Sequence, residues 1–566
     1  MTPRYPTVVD ALLAHADRAP DRLFVSFGSE PTLETWTFGE TVEKARMAAG
    51  ALVGHNLRPG DRLVIVGRNT PTTGALLLGA MGCGVIPAVV HPPLRADARA
   101  AQRLLQRVIT KAEPALVVAR RELWPAPTGV KLATAEELLG AGAPAADLVP
   151  PDPDSVVYLQ FSSGTTGAQK AVAISANAQA ANAEATYTHV GEREEETWVI
   201  WLPLFHDMGL MTGYLVPLFF GHRTILMRPE RFVERPMSWM QTIHAHRGTM
   251  TCAPNFAYGL AARRARPDRI RDLDLSCLRV AYNGAEMVSA DTVERFESAF
   301  APTGLAPNTV LPVYGLAELT LSAVFWHAGE PKLVDRVTRA GLGRGVAEPA
   351  SPDDRRAMRV VSVGRALRGH RARVVDETGM DAKDRQVGEL WVAGASRAAG
   401  YWRDPALTAE VFTGGWVRTG DLAYSANGEL FICGRSKDVV VRFGENFFPA
   451  DLEMAVTDGP GVKPGRLAVL GVEDTGMATE RVWLVVETDL EAEDAYGLAR
   501  DIRRHVVEKA GFKFDGVSCV PRGFIEKTSS GKVKRFNCRD KLATMFRSGS
   551  PPPTVGRWPD AVSEER

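Results

Sequence analysis

The sequence is short of cysteine, has no net charge and has no long apolar run. Its six cysteines (Cys83, Cys252, Cys277, Cys433, Cys519 and Cys538) never form a CxxC pair. That excludes a zinc ribbon and argues against a disulfide framework, so reduced, mostly buried thiols in the cytosol are expected. Lys plus Arg and Asp plus Glu both total 67, giving a formal net charge of zero. A nucleic acid or an anionic membrane as a global electrostatic partner is therefore not indicated. No apolar run approaches the ~18 residues that would span a bilayer. The greasiest stretch, LMTGYLVPLFFG (210–221), is too short. The opening residues lack the basic-then-apolar pattern of a secretory signal. No internal repeat is visible. The expectation is a cytoplasmic protein without stable membrane insertion.

What is present is ordinary for a globular chain: 45% hydrophobic and 24% charged residues over 566 positions. Helix-like and strand-like patterns alternate through roughly the first 430 residues. VVDALLAHADRA (8–19) has helical apolar spacing, and RPGDRLVIVGRN (58–69) is a turn feeding a buried strand. TGALLLGAMGCG (73–84) reads as a helix before another buried strand, GVIPAVV (84–90). Such alternation predicts an α/β fold of layered helices and largely parallel sheets. Near GRSKD (434–438) the pattern changes to short strands and two helices, enough for a small α+β unit. The expected division is a large N-terminal domain over 1–435, a small mobile domain over 436–545 and a disordered tail over 546–566.

Residues 161–170, FSSGTTGAQK, follow the apolar run SVVYLQF. Backbone N–H groups of a Gly/Ser/Thr loop can converge on phosphate oxygens, and Gly164 and Gly167 permit close approach. The hydroxyls of Ser162, Ser163, Thr165 and Thr166 add donors, and Lys170 adds charge. The GK[ST] ending of a Walker A loop is absent. Taken alone, the segment is either a phosphate cradle or a flexible surface turn.

Further motifs follow in order: WLPLFHDMGL (201–210), YNGAE (282–286), PVYGLAEL (312–319), GWVRTGDLAY (415–424), GRSKDVVVRFGENFFPADLE (434–453) and EKTSSGKVKR (526–535). Together with the loop they resemble the adenylate-forming superfamily of acyl-CoA synthetases, peptide-synthetase adenylation domains and luciferases. Within it, LPLFHDMGL, APNFAYGL (253–260), LDLSCLRVAYNGAE (273–286) and LPVYGLAELTL (311–321) are similar to fatty acyl-AMP ligases. A polar stretch at about 331–358 resembles the insertion that sets those ligases apart from CoA synthetases; a plain surface loop is the competing reading.

The resemblance implies that a fatty acid carboxylate attacks the α-phosphorus of ATP, releasing pyrophosphate and forming an acyl-adenylate. Such a site needs cations and oriented donors more than a base. Glu318 corresponds to the Mg²⁺ ligand, with Thr166 also assigned to the metal. Tyr314 and Gly315 should lie at the adenine face, with Asn283 and Gly284 bordering the base. Asp421 corresponds to the carboxylate that accepts the ribose hydroxyls, and Arg435 to a ribose or phosphate contact. Lys532, after Gly531, corresponds to the catalytic lysine of the small domain. His206 should help to position the carboxylate. Phe205, Met208, Leu210, Met211, Tyr214 and residues 255–258 are the candidate acyl tunnel, though ordinary core explains most of them equally well. Lys437–Asp438 fall where the family places its hinge. The implied acceptor is the phosphopantetheine thiol of an acyl carrier protein. The alternatives are an acyl-CoA or aryl-CoA synthetase, or an inactive homologue acting as a binding protein.

Some positions depart from the family pattern. Gln169 and Ala171 replace a proline and a glycine around the loop lysine, Ser175–Ala176 replaces a Ser-His pair, and Glu526 stands where proline is frequent. The positions implied as ligands are all retained.

Overall fold

A computed structural model describes residues 3–29, 32–92, 98–121, 129–140, 142, 144–163, 169–457, 459, 461–463, 465–474, 477, 479–527, 533–556 and 558–559. Its backbone is one large sheet with smaller sheets and helices layered on it. Six strands run parallel, in the spatial order Leu23–Phe27, Arg223–Leu226, Thr197–Ile200, Met250–Ala253, Val280–Asn283 and Val310–Gly315. Most of their residues are fully buried, as expected for strands covered by helices on both faces.

From Ser322–Phe325 onward the same sheet continues antiparallel through Met358–Ala366, Glu429–Arg435, Trp416–Ala426, Gly388–Gly394 and His370–Val375. The sequence pattern predicted α/β layers, and these form, but the largely parallel expectation holds for only about half of the main sheet. The difference is local. Leu316 N–H bonds Leu321 O at 2.8 Å, turning the chain back on itself directly after the last parallel strand.

A second, wholly parallel sheet contains Ile86–Val90, Arg62–Val66, Leu116–Val118 and Lys131–Ala133. A third is antiparallel and carries the loop at 161–170. In it Val156–Ser163 pairs with Gln169–Ser175, which pairs in turn with Gly400–Tyr401.

The segment at 331–358 is folded rather than loose. Val334–Val337 pairs antiparallel with Met358–Ala366, and a short helix, Arg339–Gly343, follows a Thr338 cap. Val337, Leu342, Ala347 and Met358 are buried against Tyr424, Phe431 and Phe448. Arg339 makes a two-pronged ion pair with Asp451, at 2.7 and 2.9 Å.

Beyond Asp438 the residues have their own apolar clusters, one around Val440, Leu452, Leu484, Ile502 and Phe514 and one around Leu470, Trp483 and Leu542. Their sheet runs Leu467–Asp474, Thr479–Glu487, Gly516–Val520, Thr554–Gly556. The last strand differs from the disordered tail expected from 546. The helix Arg535–Arg547 carries past that boundary, Thr554–Gly556 pairs with Gly516–Val520, and Trp558 stacks on Phe546 at 4.4 Å. A Pro-rich composition suggested disorder, but one tryptophan with an apolar seat outweighs it.

Candidate active site

The functional side chains converge where the parallel half of the sheet gives way to the antiparallel half. A cavity of about 320 Å³ opens there, bounded by Lys170, His206, Tyr314, Gly315, Glu318, Tyr401, Arg435 and Lys437 among others. Ligands in open α/β sheets bind beyond the carboxyl ends of parallel strands, and this cavity lies beyond the ends of Val280–Asn283 and Val310–Gly315.

Val310–Gly315 delivers Tyr314 and Gly315, and the 3₁₀ turn Ala317–Leu319 presents Glu318. Gly315 has to be glycine, because a Cβ there would sit 1.8 Å from Leu321 O. Asn182, from the helix Ala176–Thr188, clamps the turn. Its amide nitrogen donates to Leu319 O at 3.1 Å and Ser322 O at 2.9 Å, and its oxygen accepts from Ser322 N at 3.2 Å. Tyr401 Oη donates to Glu318 Oε1 at 2.6 Å.

Asp421 and Arg435 are register partners on Trp416–Ala426 and Glu429–Arg435. Arg435 Nε is 3.0 Å from Asp421 Oδ1, and Tyr314 Oη donates to Asp421 Oδ2 at 2.6 Å. Each carboxylate oxygen still has a second lone pair for an incoming hydroxyl. The Asp421 carboxylate holds the Arg435 guanidinium above its ordinary range, outweighing burial. Burial pushes the Tyr314 phenol well up, with Asp421 adding to it, so Tyr314 stays a donor.

Lys170 closes the hairpin opposite Ser162, and its Nζ lies 4.9 Å from the Tyr401 ring centre. Burial lowers its pKa, while Glu318 opposes that shift. Ser162 and Ser163 lie on the strand Val156–Ser163. Gly164, Thr165, Thr166, Gly167 and Lys532 lie outside the described residues. The stem that carries Lys532 is described: Lys527 and Val533 form a β-bridge, and Lys534 N–H bonds Glu526 O at 2.8 Å. Glu526, standing where proline is frequent, also anchors Lys541 at 2.6 Å and Asn537 at 2.7 Å.

His206 caps the short helix Asp207–Leu210. Its Nδ1 is 2.7 Å from Asp207 Oδ1, which also accepts the Met208 N–H at 2.7 Å. The helix continues through a π turn, Met211–Leu215, a feature frequent at functional sites. This geometry corrects the expected tunnel. Phe205, Met208 and Thr212 reach the cavity, whereas Leu210, Met211 and Tyr214 are buried away from it, Tyr214 against Phe24 and Phe27. Met208 and Thr212 are four residues apart and share a face; the others turn toward the sheet. Further apolar walls include Tyr282, Val313, Leu321 and Phe325, and residues 255–258 do not line the cavity. Asn283 and Gly284 do not line the cavity either; their neighbours Tyr282 and Ala285 do. Asn283 is fully buried, donates to Asn255 Oδ1 at 3.3 Å, and has a side-chain oxygen without a partner among the described residues.

One cavity thus joins an apolar branch to a patch of Lys, Arg, Glu and Asp. The match of residues 12–402 to the AMP-binding enzyme family decides what that combination is. The chain belongs to the AMP-binding enzymes. The long-chain-fatty-acid–AMP ligase FadD26 of Mycobacterium marinum is 32% identical to it, covering 94% of this chain and 97% of its own. The medium-chain-fatty-acid–[acyl-carrier-protein] ligase JamA of Moorena producens is 30% identical, covering 95% of each. A solved structure from a study of fatty acyl-adenylate ligases of E. coli and L. pneumophila superposes with a TM-score of 0.89 at 27% identity, covering 96% of this chain and 99% of that one. Within the AMP-binding enzymes the chain is a fatty acyl-AMP ligase homologue.

A divalent cation suits the site. Among the described residues no group of three His, Cys, Asp or Glu could hold a metal. Glu318 lines the cavity with one oxygen held by Tyr401 and the other without a protein partner among the described residues. One carboxylate completed by phosphate oxygens and water is the donor set Mg²⁺ takes in nucleotide enzymes. Two residues escaped the sequence reading: Tyr401, which lines the cavity, and Asn182, which holds the turn behind it. Asn182 sits in an alanine-rich helix with no motif around it. Tyr401 follows Gly400, but nothing in the sequence ties it to Glu318, 83 positions away.

Proposed function

We propose that the chain joins a fatty acid carboxylate to ATP, forming acyl-adenylate and pyrophosphate, and then transfers the acyl group to the phosphopantetheine thiol of an acyl carrier protein. The observation that carries this reading is the cavity in which the apolar walls Met208, Leu321 and Phe325 meet Lys170, Glu318 and Arg435, with Asp421 held just behind it by Arg435 and Tyr314.

In this reading the acyl chain occupies the branch walled by Phe205, Met208, Tyr282 and Phe325. Burial at ~0.8 kcal/mol per CH₂ makes chain length the main selector. The ribose hydroxyls bond Asp421, already oriented by Tyr314 and Arg435. The triphosphate lies against Lys170 and the loop 162–170. Glu318 would hold the Mg²⁺ that ATP enzymes of this kind require, and the ion would supply neutralising charge for the phosphates. Lys532 supplies the cation between carboxylate and α-phosphate, so the oxygen attacks in line and pyrophosphate leaves. His206 Nε2, with Nδ1 turned to Asp207, is placed to orient the acid.

The residues after Asp438 act as a mobile unit hinged at Lys437–Asp438, one pose presenting Lys532 and the other admitting the thiol. Likeness to JamA and the folded segment at 331–358 support a carrier protein over CoA as acceptor. Pyrophosphate release measured over C2–C18 and aromatic acids, with CoA and carrier protein as alternative acceptors, tests the reading. Fatty-acid-dependent release followed by carrier thioester is expected. Abundant acyl-CoA would overturn the choice of acceptor, and no release with any acid would overturn the activity.

A further inference from the structure

Lys170 and Glu318 attract each other across the cavity, yet they form no direct ion pair among the described contacts. The side chain between them is Tyr401. Its hydroxyl is 2.6 Å from Glu318 Oε1, and its ring lies under Lys170 Nζ at 4.9 Å. We propose that Tyr401 is a positioning residue that keeps the two opposite charges of the site apart, its hydroxyl orienting Glu318 for a divalent cation and its ring seating Lys170 for phosphate. The inference rests on the adenylation reading and adds a residue that acts through Glu318 and Lys170 rather than on the substrate.

The surroundings fix Tyr401 for this task. It is 5% exposed. Its strand pairs it with Val172, two positions beyond Lys170, so the ring and the lysine are held by one sheet. Tyr401 N–H bonds Thr408 Oγ1 at 2.9 Å, and Phe412 meets the ring edge-on at 5.6 Å. Gly400 before it has φ +133°, and a Cβ there would lie 2.5 Å from Thr408 Cγ2, so the approach to Tyr401 admits little else. Burial, reinforced by Glu318, pushes the phenol pKa far up, which keeps the hydroxyl a donor at physiological pH.

Two physical effects follow. A carboxylate with one oxygen tied to a phenol offers the other in a fixed direction, and hydrogen-bonded partners of metal-ligating carboxylates commonly affect metal affinity by roughly 10–100-fold. A lysine on an aromatic face keeps its charge and its remaining donors available. Without the phenol between them, Lys170 and Glu318 would be free to close into an ion pair that competes with both phosphate and metal.

Calorimetric binding of a nonhydrolysable ATP analogue, repeated across Mg²⁺ concentrations, tests this. In Tyr401→Phe the Mg²⁺ needed for half-maximal enhancement of binding should rise roughly tenfold, while Mg²⁺-free affinity stays near that of wild type. Tyr401→Leu should weaken Mg²⁺-free binding as well. If that variant does not fold, Lys170→Met supplies the same comparison from the other side of the ring. Adding Tyr401→Phe to Glu318→Gln should change nothing further, because the hydroxyl acts through that carboxylate. The inference is overturned if Tyr401→Phe keeps the wild-type Mg²⁺ dependence, or if its Mg²⁺-free affinity and melting temperature fall together, as a merely structural role requires. Wild-type protein that binds the analogue without any Mg²⁺ dependence would overturn the metal-assisted adenylation reading itself.

Discussion

The site's charges are set residue by residue. Asp421 bonds both Arg435 and Tyr314, so Asp421→Asn keeps the shape and removes the charge. Weakening one or two charge-assisted hydrogen bonds at ~1.5–3 kcal/mol each should reduce nucleotide affinity by about 10–100-fold, measurable by calorimetry. Lys532→Ala should abolish pyrophosphate release while leaving ATP affinity within a modest factor; comparable loss of both would give Lys532 a different role. Lys170 has a pKa lowered mainly by burial. Between that lowered value and the ordinary 10.5, the unfolded chain binds more protons than the folded one, so this group makes stability rise with pH over that window. Lys170→Met should flatten that rise, read as the difference between the two proteins' melting temperatures from pH 8 to 10.5. ATP, which favours the charged lysine, should shrink the difference.

Elements decide which of these residues meet. The turn carrying Glu318 is held by Asn182 and allowed by Gly315. Asn182→Ala leaves two buried carbonyls and one N–H without their partner, so a loss of about 2–4 kcal/mol in unfolding free energy is expected from denaturant titration. Activity should fall with it, since Glu318 loses its support. Gly315→Ala should cost at least as much, because Leu321 O is backbone and cannot step aside. Much of the site was legible in motifs. YGLAE and RTGDL named Tyr314, Glu318 and Asp421, because their chemistry depends on short, ordered turns. The apolar branch of the cavity was not legible. The apolar positions of FHDMGLMTGY look alike in sequence, and only the fold of the helix and its π turn sets Met208 and Thr212 on the cavity and Leu210 and Tyr214 against the core.

At the scale of the molecule, the residues up to Asp438 contain the main core, and those after it bury clusters of their own. A chain ending at Asp438 should therefore fold and bind an ATP analogue, yet release no pyrophosphate, since Lys532 is gone; circular dichroism and calorimetry check the first part and a phosphate-coupled assay the second. Loss of fold in the shortened chain would mean that contacts such as Arg339–Asp451 and Phe448 in its cluster are indispensable. The sequence by itself determined the layered α/β class, the order of the nucleotide motifs and the chemistry of their side chains, because hydrophobic period and turn residues act over a few positions. Tertiary structure alone decided that the sheet turns antiparallel after Gly315, that the segment at 331–358 packs on the core and pairs with Asp451, and that Trp558 anchors the final strand. It also decided that Tyr401 stands between Lys170 and Glu318. Such contacts join residues tens to hundreds of positions apart, and only the closing of the chain around a shared core brings them within a hydrogen bond's length.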